Sequence, residues 1–420
     1  MDKFVIQGGT KLTGEVAVSG AKNALLALMP ATILAPGDFT IDNTPNLRDV
    51  HTMRRLLELM GLGAELQGKR LHIDSSTINN FEAPYEQVKK MRASIYVLGP
   101  LLSRYGQARV SLPGGCAWGP RPVNFHIEGM KKLGAEIRIE QGYIIAEAKK
   151  LKGTRISFDT PSVGATGNIL MAAVLAEGTT LIDNAAMEPE INQLAQFLKK
   201  MGAKIHGIGT KRLEIEGVSE LKPANIATIP DRIEAGTFLV AGAITGGSIT
   251  VKNCIPDHLN AVLSKLEQAG CTVSVERSSI VLQAPDTLNA VNITTDVYPG
   301  FPTDMQAQWI ALMCRAHGTS VITDSIFVDR FKHVPELIRL GARVEIEDNV
   351  AVVHGNGGLK GAKVMSTDLR ASASLILAGL IAQGTTEVLR VYHIDRGYET
   401  IEKKLQQLGA HITREQTEEF

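Results

Sequence analysis

The chain has 420 residues, of which 44% are hydrophobic, so it is long enough for two domains that each bury a core. Its 44 lysines and arginines balance 44 aspartates and glutamates, which excludes a global electrostatic attraction for nucleic acid or an anionic membrane. An anionic ligand would therefore require a local concentration of positive charge.

Targeting and redox signals are weak in this sequence. The N-terminus, MDKFVIQGGT, has no apolar stretch typical of a secretory signal. The longest apolar runs, ALLALMPATILA and SASLILAGLIA, are too short to span a bilayer and predict buried helices. Cys116, Cys254, Cys271 and Cys314 show neither the spacing of a metal site nor a disulfide framework. We expect a reduced, cytoplasmic protein without membrane insertion.

In chain order, the predicted amphipathic helices end in a recurring pattern, which is apolar-Gly-Ala-x-apolar in its commonest form. It occurs as GLGAEL, KLGAEI, KMGAKI, QAGCTV, RLGARV and QLGAHI, with the glycine at Gly63, Gly134, Gly202, Gly270, Gly341 and Gly409. Successive glycines are 68 or 71 residues apart. Six copies at a nearly constant spacing indicate an internal repeat, and the glycine fits a helix C-cap.

Each repeat predicts the order strand, helix, strand, helix, strand, strand. Gly-led strands such as GTTLIDN and GGSITVKN precede the second helix, and a hairpin return follows the Gly-Ala turn. The sixth copy, GAHITREQTEEF, stops before its return strand. Residues 1 to about 21 are predicted to complete it, because KFVIQGGTKLTGEVAVSG aligns with the return segments of other repeats.

The repeats predict an α/β fold of six βαβαββ-type units, three per domain. Repeats one to three, residues 22–229, would form an N-terminal-half domain that carries the Cys116 loop. Repeats four to six, residues 230–420, would form the other domain together with residues 1–21. A single long solenoid is the alternative, and it is disfavoured because the two chain ends complement each other.

Cations recur at equivalent positions of the repeat. Four occur at or near the start of a first helix, namely Lys22, Arg92, Arg232 and Arg370. Three more occur in loops before a second helix, namely Arg121, Arg330 and Arg396. A cation at a helix start opposes the helix dipole, which is unfavourable. Solvated surface charge is nevertheless the usual explanation for any one of them. Their recurrence predicts a cationic site for phosphates and carboxylates.

Two further residues are candidates for proton transfer. Cys116 lies in LPGGCAWGPRP, a Gly/Pro-rich loop, five residues before Arg121, and a nearby cation lowers the pKa of a thiol. An isolated loop cysteine is more often incidental. From the residues alone, Asp304, after Phe-Pro-Thr, is more simply interpreted as stabilising the start of a helix. His126 is interpreted as a packing residue, and the other three cysteines as buried and inert.

Several strings, including GAKNA, MRAS, LPGGCA, SVGAT, FPTDMQAQ, TDLRASASL and YHIDRGYE, resemble those of the enolpyruvyl transferase family. The resemblance runs from residue 3 to about 412. It implies a two-domain inside-out α/β barrel with an interdomain cleft. It also implies transfer of the enolpyruvyl group of phosphoenolpyruvate to the 3′-hydroxyl of UDP-N-acetylglucosamine, with release of phosphate, as the first committed step of peptidoglycan synthesis. No metal or organic cofactor is implied, and fosfomycin is expected to alkylate Cys116.

The resemblance also implies roles for individual residues. Cys116 would donate a proton and Asp304 would act as the base at the sugar hydroxyl. Phosphoenolpyruvate would be held by Lys22, Arg121 and Arg396, with Arg330 and Arg370 lining the same site and Asn23 at the transferring group. The sugar nucleotide would contact Arg92, Arg121, Pro122, Val123, Asn124, Phe125, Ser162, Val163, Gly164, Asp304 and Ile326.

Two other functions remain open at this point. A family member that uses shikimate 3-phosphate as acceptor would share the fold, but the loop cysteine argues against it. A non-catalytic paralogue that binds a UDP-sugar is disfavoured because Cys116, Asp304, Lys22 and Arg396 are all present. The oligomeric state stays open.

Overall fold

The computed structural model describes residues 1–113 and 123–418. The chain divides into two compact units. Met1–Ser19 and Pro230–Phe420 form one, called here the C-terminal unit, and Gly20–Ile229 form the other, called the N-terminal unit. Among the described residues, no helix combines the length and the apolar character that a bilayer crossing requires.

The strands of the described residues are short, and each belongs to a small four-stranded sheet. In chain order they are β1 Asp2–Gln7, β2 Thr13–Ala17, β3 Asp38–Asp42, β4 Gly63–Gln67, β5 Arg70–Asp74, β6 Glu82–Ala83, β7 Gln107–Ser111, β8 Glu136–Glu140, β9 Tyr143–Glu147, β10 Arg155–Ser157, β11 Thr179–Asp183, β12 Lys204–His206, β13 Arg212–Glu216, β14 Asn225–Ala227, β15 Ser248–Lys252, β16 Thr272–Val275, β17 Ser279–Gln283, β18 Ile293–Thr295, β19 Thr319–Asp324, β20 Arg343–Glu347, β21 Val350–His354, β22 Lys363–Met365, β23 Thr385–Leu389 and β24 His411–Gln416.

The helices alternate with these strands as the repeat predicts. The α-helices are α1 Lys22–Ala31, α2 Arg48–Leu59, α3 Tyr85–Val88, α4 Leu98–Tyr105, α5 Asn124–Lys132, α6 Val163–Ala173, α7 Pro189–Lys200, α8 Arg232–Thr245, α9 Asn260–Gln268, α10 Gln306–Arg315, α11 Val334–Arg339, α12 Leu369–Gly379 and α13 Ile401–Gln407. Short 3₁₀ helices span Thr32–Leu34, Arg92–Val97, Pro256–Leu259, Thr303–Met305 and Val391–Arg396.

Each repeat folds into one four-stranded sheet with the same pairing pattern. The N-terminal unit contains the sheets β14-β3-β5-β4, β6-β7-β9-β8 and β10-β11-β13-β12. The C-terminal unit contains β2-β15-β17-β16, β18-β19-β21-β20 and β22-β23-β1-β24. In every sheet the first two strands are parallel and the remaining neighbours are antiparallel. The predicted α/β fold of six repeats, three in each unit, is confirmed.

The N-terminal strands differ from the expectation in one respect. Strand β1 supplies the missing return strand of the sixth repeat by pairing with both β23 and β24. Strand β2, however, joins the fourth repeat, where it pairs in parallel with β15. Strand β14 in turn completes the first repeat beside β3. The strands before α1 and α8 are thus exchanged between sheets, because the chain passes from one unit to the other directly after each of them.

A second difference concerns the first copy of the glycine pattern. Gly134, Gly202, Gly270, Gly341 and Gly409 follow their helices with φ between 93° and 108°. In the first repeat this left-handed position belongs to Gly61, with φ 95°, and Leu62 N–H closes the turn on the Leu57 carbonyl. Gly63 is the first residue of β4 instead, so its assignment as a C-cap is wrong.

The first helices of the repeats form the centre of each core. In the C-terminal unit, α8, α10 and α12 pack against one another and are buried along nearly their whole length. Such helices are mainly apolar on all sides, with charged side chains such as Arg232 and Arg370 at or near their starts. The sheets cover them from outside. The predicted site residues Lys22 and Arg370 therefore lie at the polar starts of buried helices.

Candidate functional site

Asp304 is the centre of a charged cluster in the C-terminal unit. It lies in the 3₁₀ turn Thr303–Met305, directly before α10. Arg330 donates a hydrogen bond from Nη2 to Asp304 Oδ1 at 2.7 Å, and Arg370 donates from Nη2 to Oδ2 at 2.8 Å. The carboxylate thus bridges two predicted site arginines that are 40 residues apart in the chain.

Burial makes this bridge electrostatically strong. The side chains of Arg330 and Arg370 are only 6% and 5% exposed, and that of Asp304 is 26% exposed. Burial alone would raise the pKa of Asp304, but the charges and hydrogen bonds of Arg370 and Arg330 lower it well below its usual range. Burial likewise opposes the charge of Arg370, yet the Asp304 carboxylate raises the pKa of that guanidinium. Asp304 is therefore an ionised carboxylate with one open side.

Asp304 lies in the first turn of Thr303–Met305, where a carboxylate favours a helix start electrostatically, but it does not act as a cap. Its carboxylate makes no capping hydrogen bond at the Thr303–Met305 turn or at α10. Capping carboxylates do occur at the neighbouring helices, where Asp231 caps α8 and Asp368 caps α12. Asp368 Oδ1 accepts the backbone N–H of Arg370 at 2.8 Å, so an anion offsets the cation at this helix start.

Arg370 is held from behind by a buried network of hydroxyl and amide groups. Its Nη1 donates to Tyr398 Oη at 3.1 Å, and the phenol lies 2.7 Å from Thr237 Oγ1. Gln308 donates to the same phenol at 3.3 Å and to the Asp304 carbonyl at 3.0 Å. The sequence reasoning missed Tyr398, although it stands only two residues after Arg396 in YHIDRGYE.

Arg330 is held in a comparable way by Thr303 and Asp324. Its Nη1 donates to Thr303 Oγ1 at 2.7 Å, and Thr303 donates to Asp324 Oδ2 at 2.8 Å. Asp324 Oδ1 accepts the backbone N–H of Ile326 at 3.0 Å, which fixes the predicted sugar-nucleotide contact. Neither Thr303 nor Asp324 was anticipated from the sequence.

Arg396 ends the 3₁₀ turn Val391–Arg396 and is half-buried. Its neighbour Asp395 is engaged by Arg414, whose Nη1 and Nη2 reach the two carboxylate oxygens at 3.0 and 2.5 Å. This bidentate pair anchors the turn to β24. Arg396 thus lies on a turn fixed by an ion pair on its own unit.

In the N-terminal unit, Lys22 begins α1 and pairs with a buried carboxylate. Lys22 Nζ lies 3.0 Å from Asp49 Oδ2 in the first turn of α2. The side chains are 12% and 4% exposed, so the ion pair is largely shielded from water. Asn23, the next residue, is exposed. Asp49 was not recognised in the sequence, because it is 27 residues from its partner.

A second cluster in this unit connects His126 to the start of α6. Asn168 Nδ2 donates to the Ile95 carbonyl at 2.8 Å and lies 3.0 Å from His126 Nδ1. Burial, followed by the charge of Arg92, lowers the pKa of His126 to about 3, so the ring is neutral and its interpretation as a packing residue is supported. A Cβ at Gly164 would meet the His126 ring at 3.2 Å, so the space beside Gly164 is filled.

The remaining predicted contacts lie at helix starts of the same unit. Ser162 caps α6 by accepting the Ala165 N–H at 3.3 Å, and Val163 is the exposed first residue of that helix. Val123 precedes α5, and Asn124 and Phe125 open it. Three predicted site residues, Cys116, Arg121 and Pro122, lie outside the described residues.

The other cysteines are unsuited to chemistry. Cys254, Cys271 and Cys314 are all buried. Burial raises the thiol pKa to about 11 for Cys254 and Cys271 and to about 12 for Cys314. Their burial is confirmed, and the raised pKa values keep the thiols protonated near neutral pH, as expected of inert cysteines. Within residues 1–113 and 123–418, no group of three or more His, Cys, Asp or Glu is arranged to hold a metal ion.

Known proteins resemble this chain in sequence over most or all of its length. The family model of EPSP synthase (3-phosphoshikimate 1-carboxyvinyltransferase) matches residues 6–405. A protein of Chloroherpeton thalassium named UDP-N-acetylglucosamine 1-carboxyvinyltransferase is 61% identical over 100% of this chain and 99% of its own length. A protein of the same name from Chlorobaculum parvum is 60% identical over the full length of both chains.

Solved structures are also similar over nearly the whole chain. The enolpyruvyl transferase NikO from Streptomyces tendae superposes with a TM-score of 0.89 at 26% identity and covers 98% of both chains. An EPSP synthase from Acinetobacter baumannii superposes with a TM-score of 0.77 at 19% identity, covering 99% of this chain and 100% of its own. The second similarity concerns the fold alone.

Proposed function

Because the chain belongs to the EPSP synthase (3-phosphoshikimate 1-carboxyvinyltransferase) family of enolpyruvyl transferases, we propose that it transfers the enolpyruvyl group of phosphoenolpyruvate to the 3′-hydroxyl of UDP-N-acetylglucosamine. The observation that carries this choice of acceptor is the 61% identity, over the whole chain, to a relative named for that acceptor. Phosphate would be the second product. The reaction would commit the sugar nucleotide to peptidoglycan synthesis.

The reaction needs an acid and a base on opposite parts of one substrate pair. The sugar hydroxyl loses its proton and adds through oxygen to C2 of phosphoenolpyruvate, while C3 gains a proton. The tetrahedral adduct then loses a proton from C3 and expels phosphate, which restores the double bond. A carboxylate can take the hydroxyl proton and a thiol can supply the proton at C3.

Asp304 would be the base, and its two arginines would control its strength. In the absence of phosphoenolpyruvate, Arg330 and Arg370 both pair with Asp304, and the lowered pKa of its carboxyl makes it a weak base. The phosphate and carboxylate of phosphoenolpyruvate would share the charge of these arginines and so raise the pKa of Asp304. Base strength would then increase when the second substrate is in place. The same cations would stabilise negative charge that develops in the transition state.

Cys116 would be the acid, a role that rests on the family resemblance and on the nearness of Arg121 in the chain. Lys22, Arg121 and Arg396 would bind the anionic groups of phosphoenolpyruvate, with Asn23 at the transferring group. Lys22 is suited to this because α1 and Asp49 hold its ammonium group in place.

The sugar nucleotide would be bound mainly by helix starts of the N-terminal unit. The proposed contacts are Arg92, Arg121, Pro122, Val123, Asn124, Phe125, Ser162, Val163 and Gly164, joined by Asp304 and Ile326. Free backbone N–H groups at such starts suit diphosphate oxygens. Residues of both units are thus among the proposed contacts of each substrate. We propose that the reaction takes place in the cytoplasm.

Phosphate release tests this proposal. The purified protein is incubated with phosphoenolpyruvate alone, with added UDP-N-acetylglucosamine, and with added shikimate 3-phosphate. We expect phosphate only in the second reaction. Phosphate release with shikimate 3-phosphate instead would identify that compound as the acceptor. No release with either acceptor would favour the alternative of a non-catalytic protein that binds a UDP-sugar.

A further inference from the structure

Asp324 is a fully buried carboxylate whose two oxygens face different parts of the site. Oδ1 accepts the backbone N–H groups of Ile326 and Phe327, each at 3.0 Å, and the hydroxyl of Thr295 at 2.8 Å. Oδ2 accepts the hydroxyl of Thr303 at 2.8 Å. One oxygen therefore shapes the segment after β19, and the other orients the residue next to Asp304.

The hydrogen bonds of Thr303 have one possible direction. A threonine hydroxyl has a single proton, and a guanidinium only donates, so the Thr303 oxygen accepts from Arg330. The proton of Thr303 must therefore point to Asp324, which leaves its oxygen to accept Arg330 Nη1 at 2.7 Å. The other nitrogen of the fork, Nη2, contacts Asp304 at 2.7 Å.

This arrangement fixes the guanidinium of Arg330 at two points. A planar fork held through both terminal nitrogens cannot rotate without breaking one contact. Thr303 holds one nitrogen, so the other remains directed at the Asp304 carboxylate. Thr303 thereby orients the proposed base, Asp304, through Arg330 and not through a direct side-chain contact.

We propose that Thr303, oriented by Asp324, is a positioning residue that holds Arg330 on Asp304 for the reaction. This inference rests on the proposed function, since it concerns the base of that reaction. Asp324 also holds the segment with Ile326, the proposed sugar-nucleotide contact. One buried carboxylate therefore positions both Ile326 and, through Thr303, the arginine that binds the base.

The test compares three threonine substitutions by steady-state phosphate release. Thr303→Val keeps the shape but removes the hydroxyl, and Thr303→Ser keeps the hydroxyl without the methyl group. Thr294→Val removes a hydroxyl from the exposed face of β18 and serves as the control. We expect Thr303→Val to lose about tenfold in kcat, as for one charge-assisted hydrogen bond.

The Michaelis constant separates positioning from general damage. In Thr303→Val, Asp324 still holds the Ile326 and Phe327 amides, so the KM for UDP-N-acetylglucosamine should stay within about twofold of wild type. Thr303→Ser and Thr294→Val should match wild type in both constants. A fall in Thr303→Ser as large as in Thr303→Val would overturn the inference, as would normal kcat in Thr303→Val.

A second substitution tests whether Thr303 and Asp324 act in one chain. Asp324→Asn keeps an acceptor oxygen for the backbone amides but replaces the oxygen facing Thr303 by a donor. The double variant should then have a kcat within about twofold of the slower single variant. Losses that multiply would overturn the shared chain. Wild type that releases no phosphate would overturn the proposed function and this inference with it.

Discussion

Replacing Asp304 with asparagine should separate its proposed catalytic role from its structural one. The amide keeps the shape of the carboxylate but cannot accept a proton, and loss of a general base typically lowers the rate by about 10²–10⁴-fold. That corresponds to about 3–5 kcal/mol in the activation barrier. Affinity for UDP-N-acetylglucosamine should fall only modestly, because an amide can still hydrogen-bond the 3′-hydroxyl.

The two arginines add a stability effect that helix capping would not produce. Asp304 caps no helix, so the good capping ability of asparagine is irrelevant here. In Asp304→Asn, the amide N–H₂ would face a guanidinium, and two buried cations would lose their shared anion. Removing one partner of a buried ion pair costs about 3–5 kcal/mol, which we reduce to about 2–3 because Asp304 is 26% exposed. For a unit of this size, the melting temperature should fall by about 5–10 °C.

The assay combines phosphate release, calorimetric binding of UDP-N-acetylglucosamine and thermal unfolding. Asp329→Asn is the matched control, because Asp329 is an exposed carboxylate beside Arg330 in the chain. It should behave as wild type in all three measurements. Near-normal turnover of Asp304→Asn would refute its role as base, and an unchanged melting temperature would refute the arginine bridge.

Three further outcomes are expected. The pKa of His126 is lowered to about 3, so the unfolded state binds more protons as pH falls below about 6.5, and His126 alone should lower the stability by about 2 kcal/mol at pH 5. His126→Gln should remove this contribution in urea titrations, the comparable contribution of buried His333 should remain, and exposed His72→Gln should remove neither. Cys116→Asp should stay active and resist fosfomycin, whereas Cys116→Ala should be inactive. Mass spectrometry of fosfomycin-treated wild type should find one adduct, on the Cys116 peptide. Labelling of the three buried cysteines instead would contradict this role of Cys116. Tyr398→Phe should lower kcat about tenfold. It should also leave buried partners such as Arg370 Nη1 unsatisfied, which lowers the free energy of unfolding by about 1–3 kcal/mol. An unchanged kcat and an unchanged unfolding midpoint would show that the phenol does not support Arg370.

The repeat architecture could be predicted from the sequence because its signals are local. A glycine after an amphipathic helix specifies a left-handed C-cap, and the following apolar alternation specifies a strand. The first copy misled because Gly63 precedes the alanine of the pattern, whereas the left-handed backbone conformation belongs to Gly61. The exchange of β2 and β14 could not be predicted, since it depends on which sheet has an unpaired edge.

The candidate site was predicted unevenly for a similar reason. Charged residues at repeated helix starts, such as Lys22 and Arg370, stand out in the sequence because a cation is unfavourable there. The residues that hold them, Asp49 and Tyr398, are 27 and 28 residues away and become neighbours only through packing of different elements. A hydroxyl such as Thr303 carries no signal of its own until its partners are known.

The most direct test of the account is identification of the product. The protein is incubated with phosphoenolpyruvate and UDP-N-acetylglucosamine, and the nucleotide fraction is analysed by mass spectrometry and proton NMR. We expect UDP-N-acetylglucosamine that has gained one enolpyruvyl group, with the vinyl ether on the 3′-oxygen and one phosphate released per group transferred. Unchanged sugar nucleotide, or an enolpyruvyl group that forms only on shikimate 3-phosphate when that acceptor is offered, would contradict the account.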